Sequence, residues 1–233
     1  MQMENIKIFL KKYKTSQLVV AFILFWIPVI IFLRIAGEIL EREPISQDIH
    51  ILEWIRTQAS PTLDTVFVSI TTLGDIEVML PITLLLLGLL LYKRHRRHAS
   101  IIFFGVGGAA IGNLVMKLLF QRDRPEFWQS IISEVGYSFP SGHAMLSSAL
   151  ILCIIAILWK TNWRTLSIIF GAILIVLIGF SRLYLGVHYP TDVIAGWSVS
   201  AAWIAIVVVL TKAASYELHK HDAPKAIKKR SRT

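Results

Sequence analysis

The sequence is poor in cysteine and in charged residues. Its one cysteine, Cys153, excludes an intramolecular disulfide and any metal site built from cysteines. Cys153 lies inside an apolar run, which indicates a small core residue. Only 17% of the residues are charged, 55% are hydrophobic and the mean hydropathy is +0.63. An ordinary soluble domain is less apolar, so the composition indicates a membrane protein.

Long uncharged runs carry this hydrophobicity, and no internal repeat interrupts them. A transmembrane helix takes about 20 apolar residues, and the predicted spans are about 15–34, 76–92, 99–119, 143–160, 164–182 and 191–212. No convincing cleavage site follows the first run, which therefore reads as an uncleaved span. We predict an all-α polytopic membrane protein, with a six-transmembrane-helix bundle in one domain (1–213) and a basic cytoplasmic tail (214–233).

Acidic residues are also scarce, with 15 Asp and Glu against 24 Lys and Arg and a net charge of +9. The basic residues lie mainly in the two tails and in alternate connections between runs, which favours the cytoplasmic side for all of them. We therefore expect a multi-pass cell-membrane protein with both termini in the cytoplasm. The charge indicates topology and contact with membrane lipids, and no nucleic acid partner. The oligomeric state is not indicated.

Residues 35–76 differ from the spans because polar and apolar residues alternate there. The pattern predicts two short amphipathic helices at the membrane interface, between spans 1 and 2. Ser60 and Pro61 have the residue types of an N-cap and a first helical position. The segment is either a lip over a site at the membrane surface or a solvated connector.

Three polar stretches lie beside apolar runs, at 117–125, 140–143 and 181–192. They follow the third span, precede the fourth and bridge the fifth and sixth, so the topology predicts that all three meet at the non-cytoplasmic end. In the first stretch, Lys117 and Arg124 are seven residues apart, which would put them on one helix face. Arg122 and Asp123 are expected to point elsewhere and to pair in solvent.

The other two stretches supply an anion-binding turn and a possible nucleophile. Ser141 and Gly142 open the fourth span, where a helix N-terminus favours an anion, although a plain N-cap turn has the same pattern. His143 could donate a proton there. In the third stretch Arg182 suits a phosphate group, and His188 and Asp192 are four residues apart.

A carboxylate beside an imidazole fixes the tautomer and leaves the other nitrogen free to attack. The same residue types allow a metal site made of His143, His188 and Asp192. The cations Lys117, Arg124 and Arg182 would repel a metal ion, and they favour an anionic ligand instead.

Three ordered patterns, Lys-x6-Arg-Pro, Pro-Ser-Gly-His and Ser-Arg-x5-His-x3-Asp, resemble the signature motifs of the type 2 phosphatidic acid phosphatase superfamily. The resemblance implies His188 as nucleophile, Asp192 as its orienting partner and His143 as the acid for the leaving oxygen. It implies phosphate binding by five residues: Lys117, Arg124, Ser141, Gly142 and Arg182. It also implies that no metal or other cofactor is needed.

The resemblance implies a phosphatase that acts on lipid phosphates or diphosphates at the outer membrane face, through a phosphohistidine. Phosphatidylglycerol phosphate, phosphatidic acid and undecaprenyl diphosphate are the candidate substrates. A non-enzymatic lipid-phosphate binding or transport protein is one alternative, although its ionisable residues would be expected near the bilayer midplane. Vanadate-dependent peroxidase chemistry is the other, because those enzymes share the signature pattern.

Overall fold

The computed structural model describes residues 15–41, 45–126 and 130–230, and every regular element in them is helical. In chain order the described α-helices are α1 (Thr15–Leu40), α2 (Ser46–Thr57), α3 (Pro61–Thr71), α4 (Ile76–Tyr92), α5 (Arg96–Phe120), α6 (Gly142–Leu158), α7 (Arg164–Tyr184) and α8 (Pro190–Arg230). A short 3₁₀ turn, Thr72–Gly74, joins α3 to α4. The all-α prediction is confirmed.

The helix α6 lies at the centre of the bundle and packs against α5, α7 and α8, while α1 packs along α8. Small polar residues of α6 are buried there, because their hydroxyls satisfy backbone carbonyls: Ser148 donates to the carbonyl of Ala144 at 2.6 Å. Cys153 is buried as predicted, and its thiol donates to the carbonyl of Ile101. This core holds the first turn of α6 in a fixed position.

Large apolar side chains cover much of the outer surface of the bundle, among them Phe104, Ile111 and Leu119. In a membrane these side chains face lipid. Three described helices are long and apolar enough to cross a bilayer: α5, α7 and the Pro190–Ser215 part of α8. The bent pair of α3 with its turn and α4 could form a fourth span, and α6 is shorter, at 17 residues. The six-span count therefore stays a prediction.

The two amphipathic helices predicted within 35–76 are present as α2 and α3. Ser60 caps α3 by accepting a hydrogen bond from the amide of Leu63, and Pro61 occupies the first turn. The helix α2 packs on the ends of α7 and α8, and α3 packs on α7. Of the two alternatives for this segment, a solvated connector is therefore wrong, because α2 buries one face against the bundle.

Candidate active site

The predicted His188–Asp192 pair is formed at the junction between α7 and α8. His188 precedes α8, Asp192 lies in its first turn, and both side chains are buried. The Nδ1 of His188 lies 3.3 Å from Oδ2 of Asp192. The same oxygen accepts the backbone amide of Tyr189 at 2.9 Å. The carboxylate therefore fixes the ring with Nδ1–H toward Asp192 and leaves Nε2 as the free base.

The pKa of His188 is lowered to about 4, chiefly by burial; the charges of Arg182 and Arg124 act in the same direction, and Asp192 opposes the shift. The ring is therefore neutral at pH 7, which is the state that a nucleophile requires. Its Nε2 lies 3.3 Å from Nη1 of Arg124. The free nitrogen thus faces one of the predicted phosphate ligands.

The prediction that Arg122 pairs with Asp123 in solvent is wrong. One guanidinium nitrogen of Arg122 donates to Oδ1 of Asp192 at 2.6 Å, and another donates to Oδ2 of Asp48 at 2.8 Å. The guanidinium carbon of Arg122 lies over the ring of Tyr189, 4.0 Å from the ring centroid. Burial opposes the charge of Arg122, but Asp192 and Asp48 raise its pKa. Arg122 thus links helix α2 to the His188–Asp192 pair.

The positions of Arg122 and Arg124 follow from the way the chain leaves α5. This helix ends at Phe120, and Gln121 adopts a left-handed backbone conformation with φ of 46°. The chain turns there, so Arg124 does not continue the helix face of Lys117, and that sequence prediction is also wrong. The turn instead directs Arg122 toward α2 and α8.

Arg124 is fixed mainly by backbone carbonyls. Its Nε donates to Gly136 at 2.9 Å and its Nη1 donates to Val187 at 2.8 Å. Its Nη2 lies 3.6 Å from a carboxylate oxygen of Glu134. Burial lowers the pKa of Arg124, and the charge of Glu134 opposes that shift.

Arg182 is fully buried near the end of α7. Its Nη1 donates to the hydroxyl of Thr71 at 2.5 Å, and its Nη2 donates to Oε1 of Glu134. Its Nε finds no hydrogen-bond partner in the described part of the chain. One donor of a buried, fixed guanidinium is therefore free for a ligand.

The turn before α6 holds Ser141, Gly142 and His143. Ser141 is the N-cap and accepts from the amide of Ala144 at 3.5 Å, while its own amide donates to the carbonyl of Asp192 at 3.1 Å. The amides of Gly142 and His143 open the helix, so they have no acceptor within it. A Cβ added at Gly196 would lie 3.0 Å from the carbonyl oxygen of Ser141, so glycine permits this close packing of α8.

His143 has a partner that the sequence did not indicate. Its Nε2 lies 2.6 Å from Oδ1 of Asp75, at the start of α4. A Cβ added at Gly74 would lie 2.8 Å from Cδ2 of His143, so the 3₁₀ turn packs directly on the ring. These contacts leave Nδ1 of His143 for a substrate oxygen.

Lys117 lies in the last turn of α5, half-buried. It has no hydrogen bond or ion pair to any other residue that the structure describes. It interacts electrostatically with Arg124, Glu134, Asp192 and Arg182, so it belongs to the same cluster. All eight predicted residues therefore lie at one end of the bundle.

The arrangement suits an anion. No three His, Cys, Asp or Glu side chains converge in the described ranges in a way that could hold a metal ion. The two-histidine, one-carboxylate alternative lacks geometric support, because His143 pairs with Asp75 and His188 with Asp192. The sequence reasoning missed three carboxylates at this end of the bundle: Asp48, Asp75 and Glu134. Asp48 and Asp75 lie far from the motifs in sequence, whereas Glu134 lies between the first and second polar stretches.

Comparisons with known proteins identify the family of this chain. Residues 98–216, just over half of the chain, match the PAP2 superfamily. Phosphatidylglycerophosphatase B of Bacillus subtilis is 31% identical over 144 residues, which cover 60% of this chain and 70% of that protein. Undecaprenyl-diphosphatase of Sulfolobus acidocaldarius is 29% identical over 197 residues, covering 79% of this chain and 89% of that one.

Solved structures also resemble this one. The transmembrane PAP2-type phosphatidylglycerolphosphate phosphatase from Bacillus subtilis superposes with a TM-score of 0.71 at 28% identity, over 79% of this chain and 96% of that one. LpxE from Aquifex aeolicus shares the fold, with a TM-score of 0.59 at 21% identity, over 72% of this chain and 97% of that one. The chain therefore belongs to the PAP2 superfamily and is a membrane phosphatase that acts on lipid phosphates.

Proposed function

We propose that this enzyme removes the terminal phosphate of a lipid phosphate or diphosphate by way of a phosphohistidine at His188. One observation carries the proposal: the Asp192 carboxylate holds Nδ1 of His188, and Nε2 faces Arg124. The attacking nitrogen and a fixed cation therefore lie side by side, where both can contact the same phosphate group. Stabilising charge on the transferring group is the main requirement of phosphoryl transfer.

The chemistry has two steps. The Nε2 lone pair of His188 attacks the terminal phosphorus, and the bond from phosphorus to the leaving oxygen breaks. That oxygen is the ester oxygen of a lipid phosphate or the bridging oxygen of a lipid diphosphate, and His143 gives its proton to it. Water then attacks the phosphohistidine, His143 takes the water proton, and inorganic phosphate leaves with His188 restored. Asp75 supports the charged form of His143 from the side away from the substrate.

The phosphoryl oxygens would be held by Arg182, Arg124, Lys117 and the first-turn amides of α6. The Nε of Arg182, which has no partner among the described residues, and the first-turn amides, which have no acceptor within the helix, are donors that a phosphate would satisfy. Ser141 caps the turn that presents those amides. These groups supply the positive charge that transition-state stabilisation needs.

The substrate is a lipid whose chain stays in the bilayer while its head enters between helices. The names of the relatives favour phosphatidylglycerol phosphate and undecaprenyl diphosphate, and phosphatidic acid has the same reacting group. The distribution of basic residues supports cytoplasmic termini and a site at the extracytoplasmic face. This topology makes outer-leaflet lipids the substrates.

A purified-protein assay tests the proposal. Phosphate release from the three lipids is measured in excess chelator for the wild type and His188→Asn, with His50→Asn as the control because His50 is exposed on α2. The proposal expects activity in the wild type and the control, inhibition by vanadate and a loss of at least about 10³-fold in His188→Asn. Equal activity in His188→Asn would exclude the nucleophile, and an inactive wild type that binds these lipids would indicate a binding protein.

A further inference from the structure

Glu134 lies where the proposed phosphate ligands converge. Its Oε1 accepts from Nη2 of Arg182, and its Oε2 lies 3.6 Å from Nη2 of Arg124. Lys117 and His143 also interact with its charge. One carboxylate thus bridges the two arginines that the proposed function assigns to phosphate.

The carboxylate is ionised in this position. Burial alone would raise the pKa of Glu134, but the charge and hydrogen bond of Arg182 lower it below its ordinary value. The side chain is 25% exposed, whereas Arg182 is fully buried. Glu134 therefore has a route to solvent that Arg182 lacks.

Arg182 is only partly satisfied by this carboxylate. Glu134 accepts a hydrogen bond from Nη2 and Thr71 accepts one from Nη1, but the buried Nε has no partner among the described residues. An arginine edge of Nε and Nη2 binds two oxygens of one anion in parallel. A phosphate group, with three free oxygens, can fill both donors and still reach Arg124.

We propose that Glu134 is the internal anion of the phosphate site: it occupies Arg182 and Arg124 between turnovers, is displaced by the phosphate group, and so sets the affinity for phosphate. The inference rests on the proposed function for the identity of the ligand. Glu134 does not touch the reacting atoms, and it acts by competing for the cations that hold them.

The competition has a kinetic consequence. After hydrolysis, the displaced carboxylate remains close to bound inorganic phosphate and repels it, since like charges oppose each other in a partly buried site. Return of Glu134 to the arginines then favours phosphate release. Without the carboxylate, phosphate and its analogue vanadate bind more tightly and product inhibition grows.

The test is Glu134→Gln, with Glu126→Gln as the matched control because Glu126 is exposed on the same connection. The dissociation constants of inorganic phosphate and vanadate are measured by stabilisation against heat, which needs no turnover. We expect about tenfold tighter binding in Glu134→Gln, roughly the effect of 1.4 kcal/mol, and no change in Glu126→Gln. Unchanged or weaker binding in Glu134→Gln would overturn the proposal, because it would mean that Glu134 only supports Arg182.

Glu134→Asp covers the case in which the glutamine variant fails to fold. It keeps the charge, so its phosphate affinity should stay within about threefold of the wild type, well short of the tenfold change. If Glu134→Asp bound phosphate about tenfold more tightly, as expected for Glu134→Gln, the proposed competition between charges would be contradicted. These readouts stand apart from the proposed function, which fails if the wild type binds phosphate but hydrolyses no lipid phosphate.

Discussion

Replacing Asp48 by alanine removes the carboxylate that joins helix α2 to the start of α8. Asp48 is 1% exposed and accepts three hydrogen bonds: from Arg122 at 2.8 Å, from the amide of Thr191 at 3.0 Å and from its hydroxyl at 2.5 Å. Removing one partner of a buried ion pair costs about 3–5 kcal/mol. Because Arg122 keeps Asp192 as a partner, we expect the low end, about 3 kcal/mol.

The assay is thermal unfolding of the purified protein in one detergent at one scan rate. For a chain of this size, a loss of 1 kcal/mol in the free energy of unfolding lowers the melting temperature by about 2–4 °C. Asp48→Ala should therefore melt about 6–12 °C below the wild type. The control is Glu53→Ala on the same helix, whose side chain is 62% exposed and pairs with an exposed His50. Such a pair is worth less than about 1 kcal/mol, so the control should melt within about 4 °C of the wild type.

A double-mutant cycle isolates the bridge itself. Arg122→Met alone leaves the buried Asp48 and Asp192 without their shared cation. The double variant Asp48→Ala/Arg122→Met should therefore be less destabilised than the sum of the single variants, by about 1 kcal/mol or more. A melting point for Asp48→Ala within about 2 °C of the wild type, or strict additivity in the cycle, would refute the reasoning.

Three further outcomes are expected. Asp75→Asn should lower kcat by about 10²-fold for lipid phosphates, but much less for an aryl phosphate whose leaving group needs no proton; equal losses for both would contradict the role of Asp75 in supporting His143. Because folded His188 has a pKa of about 4 against 6.5, the unfolded chain takes up the extra proton as the pH falls from 6.5 to 4, which destabilises the wild type by about 3 kcal/mol over that window. In His188→Gln this part of the acid destabilisation should be missing, as measured by melting at pH 7.5 and 4.5. In a Cys153→Ser background, Ser130→Cys should be labelled by an impermeant reagent from outside and Lys93→Cys protected; the reverse pattern would invert the topology.

The sequence was sufficient to predict contacts between residues that are close along the chain, because local helix geometry determines them. His188 and Asp192 are four residues apart beside a helix start, and Ser60 and Pro61 have the residue types of a helix start. The structure contains both the pair and the cap. The convergence of three distant stretches followed from alternation of the spans and required no contact prediction.

The sequence predictions fail where a single backbone angle or a single tertiary contact determines the position of a side chain. The left-handed residue Gln121 redirects Arg122 and Arg124, and no glycine marks that position in the sequence. Asp75 and His143 are separated by 68 residues and Arg122 and Asp48 by 74, so their pairing depends on packing that no local pattern encodes. No motif marks Glu134 in the sequence, and its contacts with Arg182 and Arg124 appear only in the folded structure.

The central claim is that His188 carries the phosphoryl group. The direct measurement is rapid quenching of the enzyme with a lipid phosphate labelled in its phosphate, followed by peptide mapping of the labelled chain. We predict acid-labile, base-stable label on the peptide that contains His188, and none in His188→Asn. Label on another residue, or steady turnover with no labelled chain at any quench time, would contradict the mechanism.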